Sequence, residues 1–273
     1  MSDRGFVETS HARIAYRSSA GGGLPLLMIH GNSTCREVFR NQLDGRIGAA
    51  FKCVAFDLPG HGESSDAVDP DRTYNLQGYA ATAVEVMQAL AIDRYAVLGW
   101  SLGGHIALDM TVLTDSLVGV MITGSPPIHQ GRAAIDEGFA GGIETSLAAK
   151  RLLSDEEIDL FAHNTCGPKA PYDPFLKTAV ARTDGRARAL MIAKLACGIG
   201  PSQRELAVDA PLPLAIVDGA EDPYIRADYI AALPYKTLWE GKVHELEGVD
   251  HAPFWEVPEV FDTYLDRFLK SLA

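Results

Sequence analysis

A serine flanked by glycines is the residue of this sequence best suited to covalent chemistry. The motif Gly99-Trp100-Ser101-Leu102-Gly103 follows the apolar run Tyr95–Gly99 and opens a helical pattern over Leu102–Leu113. Glycines on both sides let the backbone turn sharply between a strand and a helix, which exposes the serine oxygen. We therefore predict that Ser101 is a nucleophile. The alternative is that Ser101 only caps the helix that follows it.

A serine hydroxyl needs a base within hydrogen-bond reach, and the base needs a carboxylate that orients it. His251 lies in a loop just before the last helical pattern, Val257–Leu272, and is the predicted base. The carboxylate is expected after the late apolar run Leu214–Val217, where we predict Asp222, with Glu221 as the alternative. Serine, acid and histidine then follow one another along the chain in an order known for such triads.

Ester-type chemistry also needs N–H donors for the negative oxygen of its intermediate. One expected donor is the backbone N–H of Leu102, at the N-terminus of the predicted helix, where the helix dipole helps. The second is expected in the loop after the apolar run Leu24–His30, and we predict the backbone N–H of Asn32. The Asn32 side chain and the Trp100 ring are candidate substrate contacts, although the alternative for Trp100 is simple packing between core and cap.

Short apolar runs that alternate with helical patterns predict the fold that positions these residues. Such runs are typical of parallel strands covered by helices on both faces, so we predict an α/β fold with a mostly parallel, doubly wound sheet. The alternation stops after residue 126 and resumes near 209. We predict a core of residues 1–126 and 209–273, and an inserted helical cap of residues 127–208 over the edge of the sheet that binds ligands. The apolar runs are Leu24–His30, Lys52–Phe56, Tyr95–Gly99, Val118–Thr123 and Leu214–Val217; the helical patterns are Arg36–Ile47, Leu76–Ala91, Leu102–Leu113 and Val257–Leu272; Phe6–Thr9 and Ala12–Arg17 predict an opening hairpin.

The composition of the 273 residues restricts the partners of the protein. Asp and Glu number 36 against 24 Lys and Arg, a net charge of −12, which repels phosphate backbones and anionic lipid. We therefore expect no nucleic acid and no membrane as partner, and we expect a monomer. Four scattered cysteines and the lack of a secretory pattern at the N-terminus predict a cytoplasmic protein. No metal-ligand or nucleotide-binding motif occurs, so neither a metal nor a cofactor is expected.

Several longer segments resemble one family of enzymes, and the similarity extends over nearly the whole chain, including the predicted cap. They are Asp57–Ala80, Gly99–Ile106, Met121–Pro127, Val180–Met191, Leu238–His244 and His251–Phe254. The segments resemble AidH-type N-acyl-homoserine lactonases, metal-independent quorum-quenching enzymes of the α/β-hydrolase superfamily. The resemblance implies an α/β-hydrolase fold and an acyl lactone substrate whose ring is opened by hydrolysis. It also implies that Ser101 is the nucleophile, His251 the base and Asp222 the acid, and that Asn32 belongs to the oxyanion hole.

Three positions depart from the pattern of that family. The acid position holds Asp222 where the family has a glutamate, and the residue before the histidine is Asp250 where glycine is common. A cap tyrosine that contacts substrate in relatives falls near Phe161, which lacks the hydroxyl group. Phe161 is therefore a candidate substrate contact, and the substrate preference is expected to differ accordingly.

A triad alone does not define the reaction, so two alternatives stay open. One is another carboxylesterase, lactonase or C–C bond hydrolase of the same fold. The other is a ligand-binding protein that keeps the triad without turnover. A dehalogenase or an epoxide hydrolase is disfavoured, because those enzymes need an aspartate where this chain has Ser101.

Overall fold

The computed structural model describes residues 3–141 and 146–273, within which eight strands form one sheet. The strands are β1 (Asp3–Glu8), β2 (Arg13–Ser18), β3 (Gly23–Ile29), β4 (Phe51–Phe56), β5 (Tyr95–Trp100), β6 (Leu117–Thr123), β7 (Leu214–Gly219) and β8 (His244–Leu246). Their order is β1-β2-β4-β3-β5-β6-β7-β8. β2 pairs antiparallel with β1 and β4, and the remaining neighbours pair parallel. The predicted α/β class and mostly parallel sheet are confirmed.

The central strands are mostly apolar because both faces of the sheet are covered. Successive side chains of a strand point to opposite faces. In β3, Leu26 and Met28 accordingly lie in one core cluster, whereas Leu27 and Ile29 lie in the other. All four side chains are fully buried.

The described residues contain helices that cover the two faces of the sheet and helices that lie between β6 and β7 in the chain. They are α1 (Arg40–Asp44), α2 (Arg46–Ala50), α3 (Pro70–Thr73), α4 (Leu76–Ala89), α5 (Leu102–Met110), α6 (Arg132–Gly138), α7 (Asp155–Asn164), α8 (Pro174–Arg182), α9 (Gly185–Ala196), α10 (Gln203–Val208), α11 (Ala227–Ala231), α12 (Pro253–Glu256) and α13 (Pro258–Ser271), with 3-10 turns at Arg36–Phe39 and Trp239–Gly241. α13 packs an apolar face into the core, where Phe261, Leu265 and Phe268 are fully buried. Across residues 3–141 and 146–273, no helix is both long and apolar enough to traverse a bilayer.

One local prediction is wrong, and one strand was not predicted. The single helix predicted over Arg36–Ile47 is divided into a 3-10 turn and the two short helices α1 and α2. The division falls at Gly45, whose ψ of −162° is extended, and a Cβ there would lie 2.3 Å from the carbonyl oxygen of Asn41. Strand β8 was not predicted, because its three residues are too few to form an apolar run.

Residues 127–208, the predicted cap, lie between β6 and β7 in the chain and contain α6 to α10. Residues 142–145 of this segment lie outside the described part. A capping box begins α7: the Ser154 hydroxyl accepts a hydrogen bond from the Glu157 amide, and the Glu157 carboxylate accepts one from the Ser154 amide. The division of the chain into core and cap stays a prediction.

Candidate active site

Ser101 lies in the turn between β5 and α5, with φ +53° and ψ −120°, a conformation rarely adopted by residues other than glycine. Both glycines of the motif are required: a Cβ at Gly99 would lie 2.3 Å from the Gly103 oxygen, and one at Gly103 would lie 2.0 Å from the Ile29 oxygen. The Ser125 hydroxyl donates a hydrogen bond to the Ser101 carbonyl at 2.8 Å. Within the described residues, the Ser101 side chain forms no capping hydrogen bond to α5. Helix capping, the alternative interpretation, therefore does not describe this serine.

His251 and Asp222 meet although they are 29 residues apart in the sequence. Nδ1 of His251 lies 2.6 Å from Oδ2 of Asp222, and their side chains are 6% and 2% exposed. The other oxygen of Asp222 accepts a hydrogen bond from the Tyr224 amide at 2.9 Å. Glu221 is exposed, and its carboxylate pairs instead with Lys169. Of the two predicted carboxylates, the structure brings Asp222 to the imidazole and leaves Glu221 at the surface.

The His251 ring is enclosed by aromatic side chains and by a glycine. The ring of Tyr224 meets it edge to face, with centroids 4.9 Å apart and an interplanar angle of 87°. Trp100 lies 5.6 Å from the imidazole, and its indole N–H donates to the His251 carbonyl at 2.9 Å. A Cβ at Gly124, where φ is +62°, would come within 2.6 Å of Cε1 of His251. Only glycine fits at that position.

Glu256 binds the backbone on both sides of His251. Its carboxylate oxygens accept hydrogen bonds from the amides of Asp250 at 2.9 Å and Ala252 at 3.1 Å. Burial raises the pKa of the Glu256 carboxyl. Asp250 itself faces the inserted segment, where its carboxylate accepts from the Lys169 amide at 2.8 Å. The loop that carries His251 is thus attached to α12 on one side and to residues 127–208 on the other.

A second buried carboxyl group, that of Asp218, lies at the end of β7. It accepts a hydrogen bond from the Gly124 amide at 2.7 Å. Burial raises the pKa of Asp218 to about 7, and the nearby charge of Asp222 adds to the rise. Asp218 therefore fixes Gly124, the glycine that lies against the His251 ring. Among the described residues, Asp218 forms no hydrogen bond to the ring itself, whose Nδ1 pairs with Asp222.

The two residues predicted to supply N–H donors lie close to Ser101. Leu102 begins α5, directly after the serine. Asn32 follows Gly31, at which a Cβ would lie 3.2 Å from Cβ of Ser101, so this loop passes against the serine. The Asn32 side chain donates to the carbonyl of Ala148 at 3.0 Å and thereby joins the loop to the inserted segment.

A cavity of about 720 Å³ opens onto these residues. Ser101, His251 and all four predicted oxyanion and substrate-contact residues line it; these four are Asn32, Trp100, Leu102 and Phe161. Much of the remaining wall is apolar and comes from the inserted segment, including Ile135, Phe139, Met191, Ile192 and Leu195. Phe161 and Trp100 are 5% and 1% exposed, so they form wall rather than rim. In the described ranges, no three His, Cys, Asp or Glu residues are grouped as metal ligands.

The sequence did not indicate the contacts that four residues make around His251; these are Gly124, Asp218, Tyr224 and Glu256. The position of Tyr224 could have been inferred from the sequence, because Tyr224 follows Asp222 by two positions. Glu256 and Asp218 act through backbone amides, and no side-chain pattern marks such contacts. The sequence therefore indicated Ser101, His251 and Asp222 as candidates for the reacting groups, but not the residues that hold the His251 loop in place.

Comparison with known proteins defines the class of this protein. A family model described as the alpha/beta hydrolase family matches residues 26–262. The chain therefore belongs to the alpha/beta hydrolase family.

Within this family, the chain is similar to the N-acyl homoserine lactonase AidH, solved in complex with N-butanoyl homoserine. The two chains are 45% identical and superpose with a TM-score of 0.96, over 99% of this chain and 97% of AidH. Esterase RhEst1 from Rhodococcus sp. ECU1013 is 22% identical with a TM-score of 0.79 over the whole chain, which shows a common fold alone.

Among curated relatives, a dihydrolipoyllysine-residue acetyltransferase component of the acetoin cleaving system from Cupriavidus necator is 26% identical over 233 residues, or 84% of this chain. The match covers 60% of that relative, and 64% of the corresponding protein from Pseudomonas putida. The chain thus spans less than two thirds of the length of these relatives.

Proposed function

We propose that this protein is a serine hydrolase that opens the lactone ring of N-acyl-homoserine lactones without a metal ion. The observation that carries the proposal is the 45% identity to a lactonase over 99% of the chain. That span includes residues 127–208, which supply much of the cavity wall. The contact between His251 and Asp222 at 2.6 Å, on the cavity that Ser101 lines, supports the chemistry.

In the first half of the proposed reaction, Ser101 becomes acylated. Asp222 accepts the Nδ1–H bond of His251, which leaves Nε2 to take the proton of the Ser101 hydroxyl. The serine oxygen attacks the lactone carbonyl carbon, and the resulting oxyanion is stabilised by the backbone N–H groups of Leu102 and Asn32. The bond between the carbonyl carbon and the ring oxygen then breaks, and the ring oxygen takes the proton from Nε2. The product of this half is an ester of Ser101 that carries a free alcohol.

In the second half, water replaces the alcohol as the partner of His251. Nε2 takes a proton from water, the hydroxide attacks the ester carbonyl, and the serine oxygen leaves with that proton. The leaving alcohol of a lactone stays attached to the acyl group, so it competes with water at an effective concentration that reaches about 10⁵ M or more. Net hydrolysis therefore needs a water molecule held well against His251. Ionisation of the product carboxylic acid then disfavours closure of the ring.

The cavity suits a small polar head with an apolar tail. The lactone ring would lie at Ser101, among the N–H donors. The acyl chain would extend along Phe139, Met191 and Leu195, where burial of each methylene contributes about 0.8 kcal/mol. Phe161 presents a ring without a hydroxyl, so we propose that it contacts substrate by packing alone.

The proposal predicts a substrate profile that can be measured directly. N-butanoyl- and N-hexanoyl-homoserine lactone should exceed γ-butyrolactone and p-nitrophenyl butyrate in kcat/KM by at least about tenfold, because the site is built around the amide and acyl groups. A pH-stat suits the assay, since each ring opening releases one acid proton. The same assay after extended dialysis against EDTA should give unchanged rates.

Each alternative predicts a different profile. Preference for the p-nitrophenyl ester, with slow lactone turnover, would support a general esterase instead. Tight binding of the lactone without multiple turnovers would support a binding protein. Loss of activity after EDTA, restored by a divalent metal, would contradict the metal-free mechanism.

A further inference from the structure

A buried polar cluster beside the cavity takes no part in the proposed mechanism. It joins His105 and Asp109 on α5 to Gln203 on α10. Nδ1 of His105 lies 2.5 Å from Oε1 of Gln203. Nε2 of Gln203 donates hydrogen bonds to the backbone carbonyl of His105 at 2.9 Å and to Asp109 at 3.1 Å. His105 and Gln203 are 5% and 2% exposed, so the cluster is shielded from bulk solvent.

These contacts determine which nitrogen of His105 carries the proton. A backbone carbonyl can only accept, so the Gln203 nitrogen must face it and the amide oxygen must face the imidazole. That oxygen also can only accept, so Nδ1 of His105 is the protonated nitrogen. Burial lowers the pKa of His105 to about 4, and the ring is therefore neutral near pH 7. Nε2 is then a pure hydrogen-bond acceptor.

His105 is placed to offer this acceptor to a ligand. It lies in the first turn of α5 and lines the same cavity as Ser101. The ring of Phe139 lies 5.7 Å from the imidazole, and Leu76 and Leu195 belong to the same cavity wall. Within the described ranges, no residue forms a hydrogen bond to Nε2. One unused acceptor thus interrupts a largely apolar wall.

We propose that Nε2 of His105 accepts a hydrogen bond from a hydroxyl group on the acyl chain, so that the site selects 3-hydroxyacyl over 3-oxoacyl homoserine lactones. This inference rests on the proposed function. Four residues of helix advance about 6 Å from Ser101, comparable to the span of the five bonds from the lactone carbonyl carbon to the third carbon of the acyl chain. A hydroxyl there can donate to Nε2. A 3-oxo group presents a second acceptor, and two acceptors facing each other leave both without a partner.

The test compares three substrates of equal chain length: N-hexanoyl-, N-(3-hydroxyhexanoyl)- and N-(3-oxohexanoyl)-homoserine lactone. For the wild-type protein, kcat/KM for the 3-hydroxy substrate should exceed that for the 3-oxo substrate by about tenfold. In His105→Phe, which keeps a ring but removes the acceptor, the ratio should fall to within about twofold. His163→Phe, which replaces an exposed histidine on α7, should keep the wild-type ratio.

The outcomes separate this inference from the proposed function. If the wild-type protein turns over the lactones with nearly equal kcat/KM for the 3-hydroxy and 3-oxo substrates, the role of His105 is overturned and the lactonase proposal stands. An equal loss for all three substrates in His105→Phe would also overturn it, since the nitrogen would then serve the common amide or the fold. Absence of turnover for every lactone would contradict the proposed function itself. If His105→Phe is unstable, the proposal can still be overturned, because a ratio near one between the kcat/KM values of the wild-type protein for the 3-hydroxy and 3-oxo substrates would contradict it.

Discussion

The carboxylate beside His251 belongs to Asp222, while its neighbour Glu221 points to the surface and pairs with Lys169. The sequence left these two residues as alternatives because both follow β7 in the same short loop. Only the direction of the turn separates them: the amide of Tyr224 binds one oxygen of Asp222 and leaves the other for the imidazole. A difference of one position in a loop is decided by backbone geometry, which side-chain patterns do not reveal.

At this residue scale, we predict that Asp222→Asn lowers kcat for the lactone by about 10³- to 10⁴-fold. The amide can favour the wrong tautomer of His251 and cannot stabilise its charged form. Glu221→Gln is the matched control, because it removes the adjacent carboxylate and only a surface ion pair, and it should stay within about twofold of the wild-type protein. Steady-state kinetics on N-hexanoyl-homoserine lactone measures both. A comparable loss in Glu221→Gln would contradict the assignment of the acid.

At the scale of elements, the loop between β8 and α12 determines where the imidazole lies. The carboxylate of Glu256, the last residue of α12, accepts hydrogen bonds from the amides on both sides of His251. One carboxylate therefore fixes the segment from both directions. A glutamine at this position keeps the shape but faces one of the two amides with an NH₂ group, which cannot accept.

We therefore predict that Glu256→Gln lowers kcat by about ten- to a hundredfold with little change in KM, because a small displacement of the base slows the reaction more than it weakens binding. Glu259→Gln, an exposed position in the first turn of α13, serves as control and should behave as the wild-type protein. Thermal unfolding of both variants shows whether the fold is intact. If kcat is unchanged, or if KM rises by as much as kcat falls, Glu256 does not position the base.

The elements themselves were largely predictable from sequence. Apolar runs predicted the parallel strands, and the helical pattern Val257–Leu272 predicted α13. The exceptions have local causes: Gly45 interrupts one predicted helix through its extended backbone, and β8 is too short to form a pattern. The contact of His105 with Gln203 joins residues 98 positions apart, and no local pattern indicates a pair so distant.

At the scale of the whole molecule, the site is held between the sheet and the inserted segment by a few hydrogen bonds. Asn32 donates to the carbonyl of Ala148, and the Tyr224 hydroxyl donates to the carbonyl of Asn164 at 2.7 Å. Asp250 accepts from the Lys169 amide. Each of these three bonds uses a backbone group of residues 127–208, and a backbone contact requires no characteristic side chain in that segment. This explains why the sequence predicted the segment but not how it meets the site.

The central claim is that the Ser101 oxygen attacks the lactone carbonyl. The most direct measurement is the rate of ring opening of N-hexanoyl-homoserine lactone by Ser101→Ala, followed in a pH-stat beside the wild-type protein. Removal of a triad nucleophile leaves only binding and oxyanion stabilisation, so kcat should fall by at least about a thousandfold while thermal unfolding is unchanged. A Ser101→Ala protein that opens the ring at close to the wild-type rate would contradict the account.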